Sequence, residues 1–477
     1  MFDRNLLTLL RDLAARAPDK KLLGGDEGWL TASQVLERVE ALGRDFVRLG
    51  LRPGDRATLR AWRCRETALL IFALRAAGAL AVLTTPKQPV QQVLEECEAD
   101  LEPRFRVEAS EEGVEVLAEG RRTLLPPAGT GAPAELPEVG THDPAFVIFT
   151  SGSTGRSKAV VLSESAFISN LIDTRPLGLY STRDVALGAI PLEHIFGLVL
   201  LAGTAVLEYS IFFPAQTSLE AILHCIQTER ITRMNGVPSL YLALADRAGD
   251  YDLSSLRAGL IAGGPVTEAQ FLHIEKTLNM TLISVYGMSE CIGITCSSWK
   301  DPQAVRAAGV GPVYPMNTIR LVDADGAPVP QGREGEICVR SPMRMLGYYG
   351  KPLDPEEFFP TGDLGWLDET GVLHLSGRKK DIIIRNGNNL SPRRIEDALL
   401  QLPGVKAAAV VGLPHPLQGE VPCAMIVGRA EPADLAPLLH KNELPEAILS
   451  VEALPMTASG KPDKPKIREV LRTWRNL

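Results

Sequence analysis

The stretch FTSGSTGRSKAVVLS, from Phe149 to Ser163, sets hydroxyls at Thr150, Ser151, Ser153 and Thr154, glycines at Gly152 and Gly155, and an amine at Lys158 directly behind an apolar run. Glycine lets a backbone approach a ligand closely and take positive φ. Hydroxyls donate to phosphate oxygens and the lysine adds charge, so the chemistry on offer is a phosphate cradle. It is not a P-loop, because G-x-x-x-x-G-K-[ST] needs glycine where Ser157 stands. A flexible Ser/Gly surface turn is the other reading of the same residues.

A cradle needs rigid elements behind it. AFVIFT reads as a strand that leads straight into the loop. DVALGAIPL and MTLISVYG are further strand-like runs, separated by helical stretches such as SLEAILHCIQTE. Strands alternating with helices predict α/β layers with a largely parallel sheet. Upstream, LTASQVLERVEALGRDFVRLG carries helical periodicity and ends at Gly50, and RATLRAW and GALAVLTT follow as strands. Apolar residues at 6, 9, 10 and 13 predict an amphipathic N-terminal helix rather than a signal peptide. Residues 107–143 are acidic and rich in Pro and Gly, and are expected to be a surface excursion or linker outside the core. From about 310 the pattern becomes short strands with tight turns. After Gly377 a compact α+β unit begins, with DIIIR as a strand, a helix from Pro392, and VKAAAVVGLP as another strand.

The chain has 477 residues, 45% of them hydrophobic, enough for large cores in about three folding units. Fifty basic against 58 acidic residues give a net charge of −8, which suggests neither nucleic acid nor an anionic membrane as partner. Seven scattered cysteines without C-x-x-C, and histidines without zinc-ligand spacing, predict reduced thiols, a cytoplasmic location and no structural metal. The apolar run from Ile195 to Leu207 is too short to span a bilayer.

The opening loop resembles the phosphate-binding motif of the adenylate-forming superfamily, which includes AMP-forming acyl-CoA synthetases, luciferases and peptide-synthetase adenylation domains. Further stretches resemble that family's other motifs in the family's order: IPLEHIFG (190–197), IAGGPV (261–266), VYGMSE (285–290), TGDLGWLDETGVLHLSGRKKDIIIRNGNNLSPRRIEDAL (361–399), GLPHPLQGE (412–420) and PMTASGKPDK (455–464). The resemblance implies a large, multi-layer α/β N-terminal domain with a β-rich subdomain, residues 1–379, and a small mobile α+β domain, residues 380–477, hinged at Lys380. It also implies ATP, Mg²⁺ and a small carboxylic acid as ligands.

By the same resemblance, Thr150, Ser151, Gly152, Ser153, Thr154, Gly155 and Lys158 hold phosphate. Gly263, Gly264 and Pro265 lie along the adenine. Tyr286, Gly287, Met288 and Ser289 pack against adenine and α-phosphate, with serine where threonine is usual, and Glu290 holds the metal. Asp363 takes both ribose hydroxyls, for which a carboxylate's two acceptor oxygens suit a vicinal diol. Arg378 reaches the nucleotide, and Lys461 bridges the acid's carboxylate and the α-phosphate. His194 matches a position beside the acyl pocket, although a lone histidine is often a satisfied structural residue. Glu193 stands where the family commonly has an aromatic residue; it is expected to point to solvent, or else to signal a polar or amine-bearing acid. Ala159 and Ser163 depart from the usual Gly and His.

The implied reaction has two halves: the acid and ATP give an acyl-adenylate and pyrophosphate, and a thiol then takes the acyl group. Gly387 would border the pantetheine tunnel in the second half. The form IIIRNGNNLSPRRIE is nearer to acyl-CoA synthetases than to peptide-synthetase domains, so coenzyme A is the expected acceptor and an acyl carrier protein the alternative. A nucleotide-binding relative without catalysis would have to lack Lys461, Asp363 or Glu290, and all three are present. The candidate acyl-pocket residues His194, Gly197, Asn235, Gly263 and Cys291 suit an apolar or aryl acid, and Asn235–Gly236 is equally a turn dipeptide.

Overall fold

A computed structural model describes residues 4–110, 112–151, 156–457 and 461–475. The amphipathic start folds as the helix Leu6–Arg16, capped by Asn5 and burying Leu6, Leu9, Leu10 and Leu13. Each fully buried leucine contributes about 1.5–3 kcal/mol relative to exposure, which fixes the helix to the main core. The next helix, Ala32–Arg48, starts with a capping box between Thr31 and Gln34. Gly50 follows at φ +93°, a conformation that side-chain-bearing residues rarely adopt.

Two large sheets form the bulk of the molecule. In the nine-stranded sheet, Arg56–Arg60, Leu80–Thr84 and Pro144–Ser151 are parallel neighbours. Pro144–Ser151 then turns back on Ser157–Ser163 as an antiparallel hairpin. In the eight-stranded sheet, Val185–Leu187, Arg233–Gly236, Ala258–Ile261 and Thr281–Met288 run parallel in that order. Open sheets of this kind present ligands with a crevice beyond the carboxyl ends of their strands. An antiparallel four-stranded sheet, from Thr318–Val322 to Leu373–Arg378, is the β-rich subdomain.

After Arg378 a single turn, Lys379–Asp381, leads into a separate five-stranded sheet flanked by the helices Pro392–Leu400 and Lys464–Arg475. This small domain has its own apolar clusters, one around Ile395 and Leu399, the other around Ile467 and Leu471. It rests on the large domain through the helix Pro392–Leu400 against the strand Leu373–Arg378, with Ser391 donating to the Ser376 carbonyl.

One expectation fails in part. The segment 107–143 is not all excursion: Phe105–Ser110, Gly113–Ala118 and Arg121–Leu125 form an antiparallel meander at the edge of the nine-stranded sheet. Val107, Val114, Val116 and Leu125 are buried in the main core. The two-residue alternation is short and interleaved with glutamates that face outward, so composition hid it. Residues 126–143 carry no strand or helix.

Candidate active site

The carboxyl ends of the eight-stranded sheet carry some of the expected nucleotide residues, Tyr286 and, just beyond Ala258–Ile261, Gly263. Tyr286 ends the strand Thr281–Met288 and donates from its phenol to Asp363 Oδ2 at 2.8 Å. Asp363 lies in the strand Phe359–Leu367 of the four-stranded sheet, opposite Arg378, whose Nε is 2.8 Å from Oδ1. Thr361 Oγ1 accepts from the Asp363 amide at 3.1 Å. Burial and the Asp363 charge push the Tyr286 phenol well above its usual value, so it stays a donor. Asp363 is 7% exposed, and a carboxylate oxygen with one such partner has a further lone pair to offer.

Glu290 lies in the turn between Thr281–Met288 and Cys291–Cys296, 8% exposed. Tyr348 donates to its Oε1 at 2.9 Å. Lys158, paired with Thr150 across the hairpin, sits 4.9 Å from the centroid of the same Tyr348 ring. Tyr348 therefore ties the metal candidate to the phosphate hairpin, a link sequence reasoning missed because Tyr348 follows Glu290 by 58 residues. A single carboxylate suits a magnesium ion whose other ligands are phosphates and waters, and Oε2 remains for it. Gly152, Ser153, Thr154 and Gly155, and the side chain of Ser151, lie outside the described residues.

Two glycines of the crevice meet different constraints, close approach at Gly287 and a positive φ at Gly263. A Cβ on Gly287 would come within 2.2 Å of the Ile292 carbonyl. Gly263, exposed and at φ +81°, has Lys461 Cε 3.9 Å from where its Cβ would stand. Gly264 and Pro265 are exposed beside it, and Met288 and Ser289 line the turn half-buried.

Lys461 belongs to the small domain but reaches this crevice. Thr457 and Lys461 bond through their backbones, and the Thr457 hydroxyl accepts from the Lys461 amide, which holds the loop. The side chain keeps solvent access, yet the surrounding protein and Arg378 lower its pKa, against Asp363 and Glu290, which raise it. His194 precedes the helix Ile195–Val206; burial, Lys461 and Lys87 hold its pKa below the usual histidine value. The imidazole is therefore neutral at neutral pH. The crevice thus brings Tyr286, Asp363, Arg378, Glu290, Lys158, Gly263, His194 and Lys461 together.

Other candidates fall elsewhere. Gly387, at φ +75°, forms the exposed hairpin tip of the small domain with nothing near its Cβ position. Lys380 is exposed in the connecting turn. Asn235 is in the strand Arg233–Gly236, not a turn, and accepts from Tyr180 at 2.6 Å. Gly197 is a packing residue, since a Cβ there would meet the Pro191 carbonyl at 2.1 Å. Cys291 is wholly buried, and all seven cysteines are free. Ser163 caps the helix Glu164–Thr174, which accounts for its presence. Glu193 does not point to solvent: its Oε2 is buried.

The fold is that of a two-domain α/β protein, and Lys461 reaches from the second domain into a crevice of the first. The sequence matches the AMP-binding enzyme family over residues 10–349 and the AMP-binding enzyme C-terminal domain over residues 394–461. It is 32% identical to a feruloyl-CoA synthase of Amycolatopsis sp, across 92% of this chain and 93% of that one. It is 28% identical to a salicyl-AMP ligase / salicyl-S-ArCP synthetase of Mycobacterium tuberculosis, across 97% and 90%. The structure superposes on ATP-bound MatB from Rhodopseudomonas palustris with a TM-score of 0.86 at 24% identity, covering 98% of this chain and 99% of that one. The chain belongs to the AMP-binding enzyme family, within the adenylate-forming superfamily that its motifs resemble. In general class it is an adenylate-forming ligase that uses ATP. No helix among the described residues is long and apolar enough to cross a membrane.

Proposed function

We propose that the protein is an AMP-forming carboxylate–CoA ligase of the cytoplasm, with residues 1–379 binding ATP and acid and residues 380–477 swinging about Lys380. The position of Lys461 carries this reading. Its ammonium lies in the field of Asp363 and Glu290 and also acts on His194.

In the first half-reaction a carboxylate oxygen of the acid attacks the α-phosphorus of ATP, the bond to pyrophosphate breaks, and an acyl-adenylate forms. Asp363, aimed by Tyr286 and Arg378, holds the ribose; Gly263 and Gly264 let the adenine lie against backbone. Lys461 brings two anions together, and its depressed pKa marks an ammonium that gains most once those anions are bound. Magnesium, when bound at Glu290, supplies charge neutralisation on the phosphates. In the second half the thiol sulfur attacks the acyl carbon, the bond to AMP breaks, and the thiol proton leaves to solvent. The small domain turns so that the Gly387 hairpin replaces Lys461.

The acceptor has a second reading. Leu417, 89% exposed, and Ile384, 53% exposed, flank that hairpin, where the Asn386 amide donates to the Gln418 carbonyl. This apolar face, together with the relative named for salicyl-S-ArCP, supports a carrier-protein thiol. A panel of carboxylic acids with MgATP, with and without free CoA, tests both readings by pyrophosphate, AMP and thioester mass. CoA-dependent thioester supports the ligase; acyl-adenylate without transfer to CoA favours the carrier protein. Lys461→Ala should lower pyrophosphate release on the order of 10²–10³-fold. Undiminished release would remove Lys461 from the chemistry.

A further inference from the structure

Glu193 carries its carboxylate the wrong way round. Long charged side chains ordinarily bury the stem and keep the charged tip in water. Here the residue as a whole is half-buried, yet Oε2 is closed off from solvent and has no hydrogen-bond partner. Thr85 and the residue's own peptide N–H support the charged form, as do the nearby Arg63 and Lys87. Arg63 donates to the Ala189 carbonyl at 3.2 Å, and Lys87 stays exposed. A buried acceptor left unpaired is costly, and exceptions of this kind call for a missing partner.

Placement indicates which partner. Arg63 and Thr85 follow the adjacent parallel strands Arg56–Arg60 and Leu80–Thr84, at the carboxyl ends where the crevice opens. Glu193 meets them from the loop between the strand Val185–Leu187 and the helix Ile195–Val206, one residue before His194, which shares the field of Lys87 and feels Lys461. Glu193 thus shares Lys87 with His194, and His194 in turn shares Lys461 with Asp363 and Glu290.

We propose that Glu193 selects the acid, its carboxylate turning out from under its cover as the acid enters so that Oε2 accepts a hydrogen bond from a hydroxyl on the acyl group. A carboxylate offers only acceptors, so its complement is a donor. An ammonium is the other common donor, but Arg63, Lys87 and Lys461 oppose a further cation there, and a neutral hydroxyl meets no such repulsion. Burial raises the carboxyl pKa, and a protonated Glu193 would still accept through its carbonyl oxygen. A site built to bond a substrate hydroxyl disfavours the analogue that lacks it, because the buried group is then left unpaired.

This inference rests on the acid-activating reading, and one assay separates the two. Pyrophosphate release is measured for the full chain with matched acids: benzoic and the hydroxybenzoic isomers, cinnamic and 4-hydroxycinnamic, octanoic and hydroxyoctanoic acids. The wild type should favour a hydroxylated member by about tenfold to a hundredfold in kcat/KM. Glu193→Leu should erase that preference with the KM for ATP unchanged, and Glu193→Gln, which keeps an acceptor, should retain much of it. Equal use of both members by the wild type overturns the proposal without recourse to any variant. So does an unchanged preference in Glu193→Leu, a preference for an aminomethyl analogue, or a defect confined to thiol transfer from preformed acyl-adenylate. Release with deoxy acids alone sinks the role of Glu193 but leaves acid activation standing; no release with any acid sinks both.

Discussion

His194 shows how neighbours set the state of a single side chain. Burial disfavours its imidazolium and two lysines repel it, so its folded pKa lies below the unfolded value of about 6.5. Above pH 6.5 the ring is neutral in both states and contributes no pH dependence. As the pH falls from 6.5 toward the folded pKa, the unfolded chain binds the proton first, and the native state loses ground. Urea unfolding at pH 7.5 and 5.5 should show this loss in the wild type and a smaller one in His194→Gln. An equal loss in both proteins would mean that neither burial nor the lysines depress the pKa of this ring.

At the scale of elements, the turn between Thr281–Met288 and Cys291–Cys296 is the tightest part of the site. Gly287→Ala should destabilise the protein by about 1–3 kcal/mol or more, since backbone rather than a mobile side chain blocks the new methyl. Gly264→Ala, whose Cβ would lie 3.5 Å from Pro238 Cδ, should leave the denaturation midpoint nearly unchanged and affect ATP binding alone. Chemical denaturation of the two variants checks the contrast. These elements were legible in the sequence because they are local: the strand before each motif, the helix caps and the glycines are written in consecutive residues. The pairing of Tyr348 with Glu290, and of Tyr286 with Asp363, was not, since each joins residues from different sheets. The burial of the Glu193 tip was not legible for a related reason. A glutamate in a loop defaults to solvent, and only the ends of two distant strands reveal that its tip is covered. The edge meander at 105–125 was hidden by its glutamates and arginines, which read as linker composition although Phe105, Val107, Val114 and Val116 alternate with polar residues in its first two strands.

Across the whole molecule, the small domain has its own core, and it meets the large one mainly through one helix resting on the last strand of the four-stranded sheet. Two bodies joined so lightly should melt as separate cooperative units, giving two transitions in a calorimeter. On the proposed function ATP changes that, because the residues proposed to bind it come from both bodies: Tyr286, Asp363 and Glu290 from one, Lys461 from the other. A ligand held by both is lost when either unfolds, so saturating nucleotide should draw the two heat-absorption peaks together. At a hundred times its dissociation constant, ATP adds about 2.7 kcal/mol to the state that binds it. Adenosine, which lacks the phosphates that Lys461 would meet, should raise only the transition of the large domain and leave the peaks apart. The lysine proposed to serve the chemistry would then also decide whether the protein unfolds as one object or as two.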